Sequence, residues 1–142
     1  MSVLKQVKLL SDLSESELKN LSMFCQDKTL SEGETLFHEG DEANAMYILA
    51  EGEIEISNLI DGERVKLGSV NAEEILGEMA LFGKTSRRMA TAIATKKSKL
   101  LVVLSFSIKE LTSKHSELLD RIKLIIEERT VNNKIIESEI KG

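Results

Sequence analysis

The chain contains no proline and no tryptophan, a single cysteine and two histidines in 142 residues. Cys25 has no partner for an intramolecular disulfide, which excludes a disulfide scaffold and favours a reducing, cytoplasmic setting. His38 and His115 lie far apart, and neither belongs to an H-x-H or H-E-x-x-H pair, so no metal-ligand spacing is present. No G-x-S-x-G or Walker sequence occurs, and Cys25 has no adjacent base to activate it, so catalytic residues and metal ligands are both expected to be none. The longest purely aliphatic run, Leu100 to Leu104, is far short of the ~20 residues of a membrane span. The first eight residues break their apolar positions with Lys and Gln and leave no signal-peptide core. Basic residues are in deficit too, 19 Lys+Arg against 24 Asp+Glu for a net charge of −5, whereas nucleic-acid binders are usually basic. The length suits one domain, 1–142, that needs neither disulfide nor structural metal.

What is present falls into three stretches. Residues 1–26 read as helical. Ser14 and Glu17 form a capping box, Leu13 and Leu18 a hydrophobic staple around it, and Leu18, Leu21 and Cys25 recur at helical spacing. Leu4 to Leu10 is a shorter amphipathic piece. Residues 27–105 read as short strands punctuated by glycines at 33, 40, 52, 62, 68, 77 and 83, the pattern of a barrel or sandwich. Glu53–Ser57 and Val65–Leu67 alternate with period two around Asp61-Gly62, a strong hairpin signal. Leu100–Leu104 does not alternate and reads as a strand covered on both faces, with a short helix as the alternative. Residues 106–142 return to helix. Ser107 and Glu110 read as a second capping box, stapled by Phe106 and Leu111. A long helix from about Ser116 to Ile140 then carries Leu118, Ile122, Ile125, Ile126, Ile136 and Ile140 on one stripe, with Glu117 and Arg121 paired at i,i+4.

Residues 76–92 carry the chemistry. Gly77 permits close backbone approach, and Glu78 begins a short helical turn whose free N–H groups form an anion site. Arg88 returns across that turn, completing a phosphate cradle. A carboxylate at 78 repels a bare anion, and it makes sense if the ligand also offers a hydroxyl, as a ribose does.

Gly77, Glu78, Ala80, Leu81, Arg88 and Ala90 resemble the phosphate-binding cassette of the cyclic-nucleotide-binding domain family, which includes catabolite activator protein and the regulatory subunits of cAMP-dependent protein kinase. Gly40-Asp41, Met46–Leu49 and Gly52 are similar to the early strands of that family, and Val7–Ser14 to its N-terminal helical segment. The resemblance implies a mainly β fold with flanking helices. That fold is an antiparallel, jelly-roll-like β-roll, a double-stranded β-helix, with N-terminal helices, a short cassette helix and two C-terminal helices. It also implies that Glu78 accepts the ribose 2′-hydroxyl and Arg88 binds the cyclic phosphate with the amides of Ala80 and Met89. Gly77, Met79 and Ala90 frame that cassette, and Ile56 and Leu67 line the purine. Asn132 and Asn133 fall where the family's last helix reaches the base; an equal alternative makes one of them a polar residue in a coiled-coil seam, or leaves them solvated.

The implied ligand is cAMP, with cGMP less favoured and no cofactor besides. Met89 lacks the hydroxyl that often holds guanine's 2-amino group. The implied protein is a stand-alone sensor without enzymatic activity, a homodimer through its long helix that signals to a protein effector. With the chain stopping at Gly142, no DNA-binding helices follow, and no membrane partner is expected. Two other readings stay open: a dimerisation or docking module that binds no nucleotide, and a site for another phosphorylated or carboxylated small molecule. Glu73 stands where the family has a turn glycine, and this turn is expected to be built differently.

Overall fold

A computed structural model describes residues 3–141. Two 3-10 turns, Val3–Gln6 and Lys8–Leu10, precede helix α1 (Glu15–Phe24). Eight strands follow: β1 (Gln26–Leu30), β2 (Thr35–Phe37), β3 (Ala45–Glu51), β4 (Glu53–Ile60), β5 (Glu63–Asn71), β6 (Ile75–Leu76), β7 (Thr91–Ala94) and β8 (Ser98–Leu104). The short helix α2 (Met79–Phe82) lies between β6 and β7, and α3 (Ser105–Lys114) and α4 (Ser116–Lys141) end the chain. The strands form two antiparallel four-stranded sheets, ordered β1-β8-β3-β6 and β2-β7-β4-β5. This is the expected β-roll with flanking helices.

The sheets bury Leu30, Leu49, Leu76 and Leu100 of the first against Ile54, Val70 and Ala92 of the second. The outer face of the first sheet buries Met46, Ile48, Ile75 and Val103 against the N-terminal turns, α1, α3 and the start of α4. That sheet is covered on both sides, which is why β3 and the 100–104 run do not alternate. The last residue of β8, Leu104, is exposed and is the cap residue before the next helix.

Local chemistry is realised where it acts within a few residues. Ser14 Oγ accepts from Glu17 N–H and Glu17 Oε1 from Ser14 N–H, both at 3.1 Å. Asp61 and Gly62 both take positive φ, 52° and 83°, between β4 and β5, the two-residue hairpin expected of an Asp-Gly pair.

Tertiary contacts overrule the other local readings. The second capping box does not form: α3 begins at Ser105, whose N–H donates to Asn44 O at 2.8 Å, so Ser107 lies inside the helix, buried and with its hydroxyl unpartnered. Phe106 is exposed. Leu4 to Leu10 is broken into two 3-10 turns, which bury Leu4, Val7, Leu9 and Leu10 together. Cys25 is the cap residue beyond α1, and burial with Asp27 nearby pushes its thiol up to about 11. Arg121 pairs with Asp12 at 2.7 Å rather than with Glu117. The long helical stripe is buried only at Leu118 and Ile122; Ile125, Ile126 and Ile136 are half-buried and Ile140 is exposed.

The turn at Glu73 corrects another expectation. Glu73 adopts the left-handed geometry a glycine would, φ 74°, and its N–H donates to Leu49 O at 2.7 Å. Glu74 closes the turn by accepting Asn71 N–H through Oε1 at 2.7 Å.

Candidate functional site

The cassette starts where β6 ends. Gly77 turns the chain at φ 80°, and a Cβ there would lie 2.6 Å from Arg88 Nη1, so both conformation and space require glycine. Glu78 precedes α2, and its carbonyl accepts the N–H groups of Leu81 and Phe82, both at 3.1 Å. The N–H groups of Met79 and Ala80 have no hydrogen-bond partner among the described residues.

Arg88 is pinned through its backbone. Its N–H donates to Asp41 O at 2.7 Å and its carbonyl accepts Gly40 N–H at 2.9 Å, which gives the Gly40-Asp41 motif a physical role. The guanidinium donates from Nη1 to Gly77 O (2.9 Å) and from Nη2 to Ala45 O (2.7 Å), and it lies 4.3 Å from the centre of the Phe37 ring. Only 4% of the residue is exposed, no carboxylate pairs with it among the described residues, and Nε is buried without a partner. Burial works against the guanidinium's charge and lowers its pKa.

Glu78 is 1% exposed, and its Oε1 accepts from Arg129 Nη1 of α4 at 2.6 Å. Arg129 Nη2 also donates to Ile75 O at 2.7 Å. Burial raises the Glu78 carboxyl above its ordinary range, and Arg129 opposes that shift without cancelling it. Three residues on, Asn132 Nδ2 donates to Leu67 O at 2.9 Å. The exposed Met89 has its carbonyl held by Asn58 Nδ2 at 3.1 Å.

One cavity of about 260 Å³ gathers every residue expected to contact the ligand: Gly77, Glu78, Met79 and Ala80 from the cassette turn, Arg88, Met89 and Ala90 from its far side, Ile56 and Leu67 from β4 and β5, and Asn132 and Asn133 from α4. Asn132 bonds the roll through Leu67 O. The cavity also includes Phe37, Gly68 and Arg129, which sequence reasoning missed. Arg129 had a signal: it precedes Asn132 and Asn133 by three and four residues, so all three share one helical face. Phe37 had none.

A buried guanidinium with an unmet N–H and unmet backbone N–H groups line the same cavity, an arrangement chemically able to hold an anion, and the buried Glu78 carboxylate in that lining is able to accept from a hydroxyl. The chain's residues 27–115 match the family model described as the cyclic nucleotide-binding domain. The chain belongs to that family. Its members are regulatory binding domains. The chain is 31% identical over 144 residues to a Rhodopseudomonas palustris protein named as a potassium channel protein, a match covering 99% of the chain and 34% of that protein. It spans less than half the length of the curated relatives it matches, from 12% to 44%. Among solved structures it is similar to the regulatory domain of Toxoplasma gondii PKA with cAMP (29% identity, TM-score 0.70, 76% of this chain and 41% of that one). It shares its fold with the regulatory subunit of a cAMP-independent protein kinase A from Trypanosoma brucei (16% identity, TM-score 0.83, 97% and 49%). Among the described residues, no helix is long and apolar enough to cross a membrane.

Proposed function

We propose that residues 1–142 act as one non-catalytic cytoplasmic sensor that binds a 3′,5′-cyclic nucleotide, cAMP in preference to cGMP, in this cavity. Arg88, with the amides of Ala80 and Met89, takes the cyclic phosphate, and Glu78 takes the ribose 2′-hydroxyl. The reading rests chiefly on Arg88, a buried guanidinium with an orphaned Nε and no carboxylate partner among the described residues. A group so placed is costly unless an anion completes it. Because Glu78 already holds Arg129, a ribose hydroxyl at Glu78 touches the same carboxylate that fixes α4, and this contact couples ligand to helix.

Output passes through α4 to a protein effector rather than to DNA, in keeping with the net charge of −5. Leu124, Val131 and Ile135 are exposed at i, i+7 and i+11, a second apolar face turned away from Arg129 and suited to a second copy of the chain. Sedimentation is expected to show a dimer at micromolar concentration; a monomer there, with and without cAMP, refutes the pairing.

Calorimetry tests the site. Arg88→Ala is expected to weaken cAMP binding by at least ~2 kcal/mol, about thirtyfold. Since Arg88 also ties Gly77 to Ala45, Glu78→Gln, which spares those bonds, is measured beside it. Unchanged affinity in both variants refutes the assignment. A well-folded wild type that binds no cyclic nucleotide supports the docking-module reading instead, in which the Glu78–Arg129 pair serves only to hold α4.

A further inference from the structure

Every second residue of β4 from Ile54 to Ile60 shares one face of the strand. Ile54 and Ile56 pack in the core between the sheets, and Ile60 is buried. β4 keeps this alternation because the bulge falls on β5: Ile56 pairs with Gly68 and Ser57 with Lys66, which leaves Leu67 extra. Between Ile56 and Ile60 the row holds an amide, Asn58. It is 8% exposed, and its Oδ1 is buried without a hydrogen-bond partner among the described residues. An aliphatic side chain would leave no orphaned acceptor there, so packing alone does not account for the residue.

The amide makes one bond, and it reaches the cavity wall. Asn58 Nδ2 donates to Met89 O at 3.1 Å. The β4–β7 ladder ends at the Ser57–Thr91 pair, so Met89 lies beyond the sheet and the Asn58 side chain holds it where the ladder has stopped. On the preceding peptide, Arg88 O accepts Gly40 N–H at 2.9 Å. A trans peptide points its N–H opposite its carbonyl, so Met89 N–H is turned away from Gly40. That N–H has no hydrogen-bond partner among the described residues. The backbone that carries it is fixed on one side by Gly40 and, one carbonyl further on, by Asn58.

Building on the cyclic-nucleotide reading above, we propose that Asn58 is a positioning residue for the cyclic phosphate: it holds Met89 O so that Met89 N–H stays aimed at the anion beside Arg88. Asn58 is not part of the cavity lining, whereas Met89 is, so it acts through the Met89 backbone and touches no ligand atom. The unmet Oδ1 is the stability the fold gives up for that alignment.

Asn58→Leu fills the row with a side chain of similar size and removes the amide, and the carbonyl it releases belongs to the exposed Met89. Its Tm is expected to be no lower than that of the wild type, while calorimetry shows cyclic AMP bound about fivefold more weakly. Asn58→Ala, which cannot overfill the row, is expected to show the same loss of affinity. In nitrogen-15 spectra the Met89 amide resonance is expected to move downfield as cyclic AMP is added to the wild type, and to move less in Asn58→Leu. Unchanged affinity in both variants overturns the proposal. So does an equal Met89 shift in wild type and Asn58→Leu, whatever the Tm, because a residue that only supports the roll gives that result. Both outcomes leave the nucleotide reading standing. A wild type that binds no cyclic nucleotide overturns that reading and this proposal with it.

Discussion

The two walls of the cavity are held by different means. The cassette wall is built into the chain: Gly77 has no alternative residue, and Arg88 is bonded through its backbone to the 40–41 segment and through its side chain to Gly77 and Ala45. The α4 wall is held by side chains alone. No residue of α4 after Ile122 is buried, and Arg129 and Asn132 make the hydrogen bonds described between that half of the helix and the roll. The first wall can open only if the fold opens. The second can leave at the cost of a few hydrogen bonds, and regions that move in regulation are drawn from such low-stability parts of a structure.

Removing Arg129 is the most direct way to break that contrast. Arg129→Ala deletes two charge-assisted bonds, and each is worth roughly 1.5–3 kcal/mol. Because Arg129 is partly exposed, local opening of residues 127–141 is expected to become easier by about 2 kcal/mol, at the low end of that range. Hydrogen exchange across 127–141 should rise about thirtyfold while β3, β8 and the Leu118–Ile122 turn stay protected. Equal loss of protection in both regions means that α4 and the roll open as one unit, and the contrast fails.

The buried carboxylate between the walls gives a smaller, pH-dependent effect. Burial raises the Glu78 pKa in the folded chain above its value of 4.5 in the absence of structure, so folding takes up a proton between the two values. The stability this contributes is fully present below the ordinary value and is lost as pH rises through the raised one. Urea midpoints measured from acid toward neutral pH should fall more steeply in the wild type than in Glu78→Gln, and more steeply still in Arg129→Ala, where the opposing charge is gone. Parallel profiles for wild type and Glu78→Gln show that Arg129 fully offsets the burial.

How much of this was legible in the sequence follows the same division. The cassette is contiguous, and each of its requirements (a left-handed turn, a carboxylate, a returning arginine) is met by a residue type at a fixed offset, so residues 77–90 could be read directly. The β-roll was legible from its glycine punctuation and the Asp61-Gly62 turn. The α4 wall was legible only at Asn132 and Asn133, because a helical face shows what it could touch but not what lies opposite. The carboxylate partner of Arg129 is 51 residues away. Ser107 failed as a cap for the same reason: Asn44, a strand away, takes the N–H that sets the helix start. The β5 bulge left no mark, since Val65-Lys66-Leu67 alternates whether or not a residue is extra.

The smallest effect lies behind the α4 wall, at the turn that the sequence marked as irregular. Glu73 holds φ 74° without being glycine, a conformation that costs an L residue roughly 1–2 kcal/mol. It is kept there by its N–H bond to Leu49 O and by the closure of Glu74 on Asn71, both of which use backbone groups or a neighbouring side chain. Glu73→Gly therefore relieves the strain and keeps every bond of the turn. Against that, glycine adds freedom to the unfolded chain, an opposing effect of about 0.4–1 kcal/mol. The net gain is expected to be positive but no more than ~1 kcal/mol, a rise of a few degrees in Tm for a chain of this length. Glu73 belongs to neither the cassette nor the helix that covers it, so cyclic AMP affinity should stay the same. A Tm that falls shows that the Glu73 side chain supports the turn by more than its backbone strain costs.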